Sequence, residues 1–231
     1  MRNVDNKFFH RILLLLEKAY GLLTFGFLIP PFGGMQNFTR MRFLYNSILR
    51  YAKRSSGIAL EIGVCEAGSI VFVARACLRK EITRIYAIDL FPLGMMEAAK
   101  RRIRKHSLDQ HVTLMKSHSL ECTWTKPIDV FHLDADHTYE AVISDIRKYA
   151  PFVTRGGIVI FDDYDASHPG VRKAVSELLL EKDEFEIVAI NYEGQAYGSI
   201  CLRKRDESSD LCVAKQNVNL FDRLLKRYQG K

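Results

Sequence analysis

Two apolar runs in the chain end in carboxylates. One reads Val130-Phe-His-Leu-Asp134-Ala-Asp136-His137, the other Ile158-Val-Ile-Phe-Asp162-Asp163-Tyr164. Runs of this composition are buried parallel strands, and the residues just past their C-terminal ends line the ligand crevice of an open α/β sheet. Neighbouring strands lie ~4.8 Å apart, so acids on two adjacent strand ends share one small volume and repel unless a cation compensates them. Such a cluster can bind a hard divalent metal or tune a base. A single strand-end Asp is more often a helix cap. Asp136 stands ahead of a helix beginning near Thr138, and Asp163 ahead of one after Pro169.

A second constellation lies upstream. The segment Glu61-Ile-Gly63-Val-Cys-Glu-Ala-Gly68-Ser69 turns from a strand into a helix, and its glycines let backbone amides approach a ligand. The GxGxxG dinucleotide spacing is absent, so a plain strand-to-helix turn is the competing reading. Asp89 ends the next apolar run, Ile85-Tyr-Ala-Ile-Asp89, where a carboxylate can accept both hydroxyls of a ribose. A glycine turn followed by a strand-end acid favours a nucleoside ligand.

Alternating strands and helices must position these groups. Strands are expected at 58–64, 84–90, 111–116, 129–134 and 158–162, the last after a Gly156-Gly157 turn. Helices are expected at 69–78, 95–106, 139–149 and 171–180. Two further strands, 186–191 and 198–203, are joined by a connection too short for a parallel crossover, so one of them is antiparallel. The sheet is therefore mostly parallel, with an antiparallel strand near its C-terminal end. Residues 35–54 carry Met41, Leu44, Tyr45, Ile48 and Leu49 at helical spacing. Three segments result: a helical N-terminal cap over 1–55 for substrate access or dimerisation, a main domain over 56–205, and a tail over 206–231 with a surface helix near 219–228.

At 231 residues and 48% hydrophobic, the chain has room for one large α/β core. The net charge of +7 raises the question of nucleic acid, but the densest basic stretch, Lys100 to Lys105, reads as a solvated helix face. No nucleic-acid signature accompanies it, and no nucleic-acid partner is expected. Cysteines at 65, 77, 122, 201 and 212 form no CxxC pair, which points to a reducing cytoplasm. The apolar stretch 12–29 is broken by Glu17-Lys18 and lacks the pattern of a signal peptide or a spanning helix. It reads first as a packing or homodimer surface and second as a peripheral membrane contact.

The segments Glu61 to Ser69, Ile85 to Asp89 and Asp129 to Asp163 resemble the successive motifs of class I S-adenosylmethionine-dependent methyltransferases, which have a Rossmann-like fold of seven strands with helices on both faces. Leu133-Asp-Ala-Asp-His-Thr-Tyr-Glu140, Gly156-Gly-Ile-Val-Ile-Phe-Asp-Asp-Tyr164 and Pro169-Gly-Val-Arg-Lys-Ala174 are similar to the metal-dependent macrocin (TylF-like) sugar O-methyltransferases. The similarity runs from about 56 to 204. It implies that Gly63 and Gly68, with Glu61 and Ser69 close by, flank the methionine part of S-adenosylmethionine. Asp89 would hold the ribose, and Ser119 would sit near the adenine. Asp134, Asp162 and Asp163 match the family's Mg2+ ligands, and Asp136 or His137 its general base. Cys65 and Ala135 stand where many relatives have glycine.

The resemblance implies methyl transfer to a hydroxyl of a small molecule, on a sugar or glycosylated metabolite. A phenolic or lipid-like acceptor and a non-catalytic cofactor-binding module are the alternatives.

Overall fold

The computed structural model describes residues 38–181, 184–191 and 198–206. The segment 12–29 and the tail helix near 219–228 lie outside them. Seven strands form one sheet: β1 Ile58–Ile62, β2 Arg84–Asp89, β3 Val112–Lys116, β4 Ile128–Leu133, β5 Val153–Phe161, β6 Phe185–Asn191 and β7 Ser199–Lys204. Their spatial order is β3-β2-β1-β4-β5-β7-β6. All pairings from β3 to β5 are parallel, and β7 runs antiparallel to both β5 and β6. The expected fold class holds, including its antiparallel strand.

The helices are α1 Phe38–Tyr51, α2 Gly68–Arg79, α3 Met95–Lys105, α4 Tyr139–Tyr149 and α5 Pro169–Glu181. β1 is buried along its whole length, as a central parallel strand must be. Its residues alternate between two layers. Ile58, Leu60 and Ile62 share a core with Val142 and Ile146 of α4 and with Val171 and Ala174 of α5. Glu61 points the other way, where the Ser69 hydroxyl at the start of α2 donates to it. On α1, Met41, Leu44, Tyr45 and Ile48 are buried at the predicted helical spacing. The unit that contains the sheet begins at Phe38, so α1 is part of it.

One expected boundary moves. Gly156-Gly157 is not a turn ahead of a strand; β5 runs through it from Val153. Ile128 pairs with Val153 while Val130 pairs with Ile158, so extra residues bulge out of β5 at the glycines. Gly156 takes a φ of +74°, which lets the strand resume its register. Beside this bulge, the buried Asp129 carboxylate accepts from the amides of Ser55, Ser56 and Gly57 and from the Thr154 hydroxyl. It ties the entry of β1 to the start of β5, at the end of the sheet away from the acids.

Cys77, Cys122 and Cys201 are buried and Cys65 is exposed, and all four are free thiols. Among the described residues no helix is long and apolar enough to cross a membrane.

Candidate active site

β4 and β5 pair in register at Leu133 and Phe161, so the next residues of each strand emerge side by side. The ladder continues one step further, with the Asp134 amide donating to Ile62 at 2.9 Å and the Asp162 amide to Leu133 at 3.1 Å. Asp163 then adopts a left-handed φ of +54°, an unfavourable conformation for a residue with a β-carbon, and turns the chain over the sheet edge. The three acids Asp134, Asp162 and Asp163 do converge, as the strand pattern requires.

What they converge on is a guanidinium. Arg40, on the first turn of α1 and only 4% exposed, places Nη2 2.7 Å from Asp162 Oδ2, 3.4 Å from Asp163 Oδ2 and 3.7 Å from Asp134 Oδ1. Two imidazoles complete the cluster. His132, fully buried in β4, has Nδ1 3.6 Å from Glu61 Oε2 and Nε2 3.7 Å from Asp162 Oδ2. His137 has Nε2 2.9 Å from Asp163 Oδ2 and 3.9 Å from Asp134 Oδ1. The Ser199 hydroxyl, from β7, donates to Asp162 Oδ1 at 2.5 Å.

These contacts set the charges. Burial disfavours a charged Arg40, but Asp162, Asp134 and Asp163 outweigh it and hold the guanidinium firmly protonated. Burial likewise opposes ionisation of Asp162, yet His132, Arg40 and Ser199 pull its carboxyl well below the usual range. For Asp134 burial wins, reinforced by the neighbouring Asp162 charge, and its carboxyl is raised. Glu61 is also raised by burial. Against its burial, His132 is pushed up to about 10 by the carboxylates of Asp162 and Glu61 on either side of its ring. His137 reaches about 10 because the Asp134 and Asp163 carboxylates both lie within 4 Å of its Nε2 and favour the imidazolium. Three buried acids and the partly exposed Asp134 thus face three cationic groups.

That arrangement does not fit the Mg2+ expected from the sequence. Mg2+ takes oxygens at about 2.0–2.1 Å in near-octahedral geometry. Oδ2 of Asp162, Oδ2 of Asp163 and Oδ1 of Asp134 all face the same nitrogen of Arg40, and a histidine nitrogen also lies within 4 Å of each. While Arg40 is seated, the position that an ion would take between these oxygens is filled by a fixed positive charge.

A cavity of about 400 Å³ opens beside the cluster, lined by Gly63, Asp89, Ser119, Asp134, Asp136 and Asp145 among others. It falls within the range of small-molecule sites. The glycine turn comes within contact distance of the β4 end: the Gly63 amide donates to Ile88, and Gly63 lies against the Asp134 carbonyl. Asp89 Oδ2 accepts from the amides of Val64 and Cys65 at 2.7 and 2.8 Å, and Oδ1 from Phe91 at 2.6 Å. The acid expected to hold a ribose thus also clamps the glycine turn to β2. Cys65 and Ala67 both adopt positive φ, the conformation a glycine would supply at no steric cost.

S-adenosylmethionine fits these residues on one observation in particular. Asp145 of α4 lines the cavity, is 5% exposed, and has an Oδ1 with no hydrogen-bond partner. The Ser119 hydroxyl engages the same carboxyl group. A buried acceptor on a residue of the cavity wall is costly without a donor, and an adenine amino group provides one. Of the expected cofactor residues, Gly63, Asp89 and Ser119 line this cavity. Glu61, Gly68 and Ser69 stand behind its wall, where Ser69 donates to Glu61 and Glu61 faces His132.

The two expected bases differ. Asp136 is exposed on the cavity wall, and its Oδ1 accepts from the Thr138 amide at 2.7 Å, which lowers its carboxyl. Thr138 itself caps α4 by accepting from Ala141. His137 is tied into the acid cluster. Sequence reading missed Arg40, Ser199 and Asp145. For Arg40 a signal existed: it lies at i−4 and i−8 from the buried Leu44 and Ile48, and an arginine on an apolar stripe is a buried charge seeking partners.

Residues 60–164 match a family model described as a methyltransferase domain. A curated relative, an uncharacterized protein of Acanthamoeba polyphaga mimivirus, is 29% identical over 161 residues, covering 61% of this chain and 72% of its own. Among solved structures, an O-methyltransferase from Bacillus cereus in complex with SAH superposes with a TM-score of 0.60 at 17% identity, covering 83% of this chain and 89% of that one. The O-methyltransferase TomG from Streptomyces achromogenes, involved in tomaymycin synthesis and in complex with SAM, gives 0.59 at 18% identity, with 84% and 90% covered. A protein from Clostridium thermocellum described as an rRNA-methylase gives 0.58 at 16% identity, with 76% and 100% covered. At these identities the likeness to solved structures establishes the fold alone.

Proposed function

We propose that this S-adenosylmethionine-dependent methyltransferase alkylates a hydroxyl of a small molecule, on a sugar or glycosylated metabolite. The observation that carries the reading is the adjacency of the cavity to the acid cluster, with Asp134 belonging to both. The cofactor supplies an electrophilic methyl group, so the protein needs only to place an oxygen in line with it and accept a proton.

Asp134 is the proton acceptor. Its side chain is 19% exposed, it lines the cavity, and its raised carboxyl makes it a better base than Asp136. His137, carrying a proton at neutral pH, holds Asp134 and Asp163 in place, and its side chain is partly exposed beside them. His168 stands beside it, with ring centroids 4.6 Å apart, and contacts Asp165 at 3.2 Å. A rim of imidazoles and carboxylates offers donors and acceptors in alternation, which suits a polyhydroxylated ligand. Mg2+ takes no step here, because Arg40 stands where it would bind.

The phenolic or lipid-like alternative draws support from Leu90 and Leu120, apolar residues of the cavity lining that are 58% and 46% exposed. A methyl-transfer assay with labelled cofactor, run on parallel panels of glycosides, catechols and fatty hydroxy compounds, separates these readings. Titration with S-adenosylhomocysteine tests the cofactor first. Absence of binding would end the enzyme proposal, and transfer confined to phenols would move it to the alternative.

A further inference from the structure

The inner acid cluster differs from a metal centre in one respect: its cation belongs to the chain. Arg40 reaches it from α1, a helix held in place by Met41, Leu44, Tyr45 and Ile48, so the guanidinium is delivered by a packed element. Nη2 is within 4 Å of all three acids. A hydroxyl and two imidazoles crowd the same oxygens that face the guanidinium and one further oxygen of Asp162. Asp162 has Ser199 on Oδ1 and His132 near Oδ2, while His137 lies near Oδ2 of Asp163 and Oδ1 of Asp134. A divalent ion entering this volume would have to displace the guanidinium from a largely desolvated pocket, and an arginine cannot lower that cost by losing its proton.

We infer that Arg40 is a built-in replacement for the divalent ion of three-carboxylate methyltransferase centres, so that transfer by this chain proceeds without a metal. Arg40 is a positioning residue. It holds Asp134 at the cavity edge and keeps Asp162 and Asp163 from repelling each other apart, the two tasks an ion performs by coordination. A planar guanidinium presents several fixed N–H groups, so one cation can serve several carboxylates at once, which an ammonium does less well.

The inference rests on the methyl-transfer reading for its statement about turnover, but ion binding can be measured without turnover. Mn2+ is the probe, followed by electron paramagnetic resonance on the full chain. The wild type is expected to give the same free-ion signal as Asp162→Asn. Arg40→Ala, which leaves three acids around a vacated space, is expected to gain one Mn2+ per chain. In the transfer assay, EDTA should change the wild-type rate by less than about twofold, against the ~100-fold or greater loss expected when a required metal is stripped from its site. A wild-type Mn2+ site that Asp162→Asn abolishes would overturn the inference, as would a tenfold or larger rate loss in EDTA restored by Mg2+. The wild-type and Asp162→Asn arms decide even if Arg40→Ala does not fold. Failure of the methyl-transfer reading would appear separately, as absence of S-adenosylhomocysteine binding.

Discussion

A β-carbon on Gly63 would lie 1.8 Å from the carbonyl oxygen of Asp134. The end of β1 and the end of β4 therefore touch through backbone alone, and that contact sets the cavity beside the acid cluster. Gly63 also sits at a φ of +85°, so any side chain there meets both a clash and a strained backbone. Gly63→Ala is expected to cost about 2 kcal/mol or more in stability and to remove measurable S-adenosylhomocysteine binding. Urea denaturation and calorimetric titration check the two effects, and near-wild-type affinity in the variant would refute the placement of the cavity.

Asp134 and Asp136 should separate in kinetics. Asp134→Asn is expected to lower kcat by about 100-fold or more, with little change in cofactor affinity, because it removes the proton acceptor. Asp136→Asn leaves that acceptor in place and keeps an oxygen to accept from the Thr138 amide, so little change in stability and a smaller kinetic effect are expected. The reverse order of kcat effects would return the base role to Asp136.

Asp145 should matter for the cofactor and not for the acceptor. Asp145 lines the cavity and its Oδ1 is unpartnered, and a hydrogen bond to a charged group contributes about 1.5–3 kcal/mol. Asp145→Ala is therefore expected to weaken S-adenosylhomocysteine by about tenfold or more while leaving the acceptor KM within about twofold. A variant that binds with wild-type affinity would place the adenine elsewhere.

Stability should decline on the alkaline side. His132 and His137 titrate near 6.5 when unfolded and near 10 in the native cluster. Between these values the folded chain binds more protons than the unfolded one, so stability falls as pH rises. Their contribution is complete below pH 6.5 and is lost as the pH passes through the native values. Melting temperatures measured from pH 6 to 10 should therefore drop, and Asp163→Asn should flatten the slope by removing a partner of His137. A melting temperature that rises across this range would contradict the ion pairing.

The order of the elements could be read from the chain because each strand is a contiguous apolar run, and runs of that kind fold as buried parallel strands whatever lies around them. The acids at 134, 162 and 163 were legible for the same reason: a strand's end is fixed by local sequence, and neighbouring parallel strands end together. The bulge at Gly156 was not, since a glycine pair permits both a turn and a strand irregularity, and only the pairing with β4 selects between them.

The sequence by itself determined the doubly layered sheet, the glycine turn after β1, and the gathering of carboxylates at one end of the strands. Tertiary structure alone decided what neutralises them. Arg40 lies 94 residues before Asp134 in the numbering, on a helix outside the strand-helix alternation, and no local pattern specifies which side chain will reach across that distance. Charge compensation in a buried pocket depends on where packed elements deliver their side chains, and here the packing of α1 delivers a guanidinium.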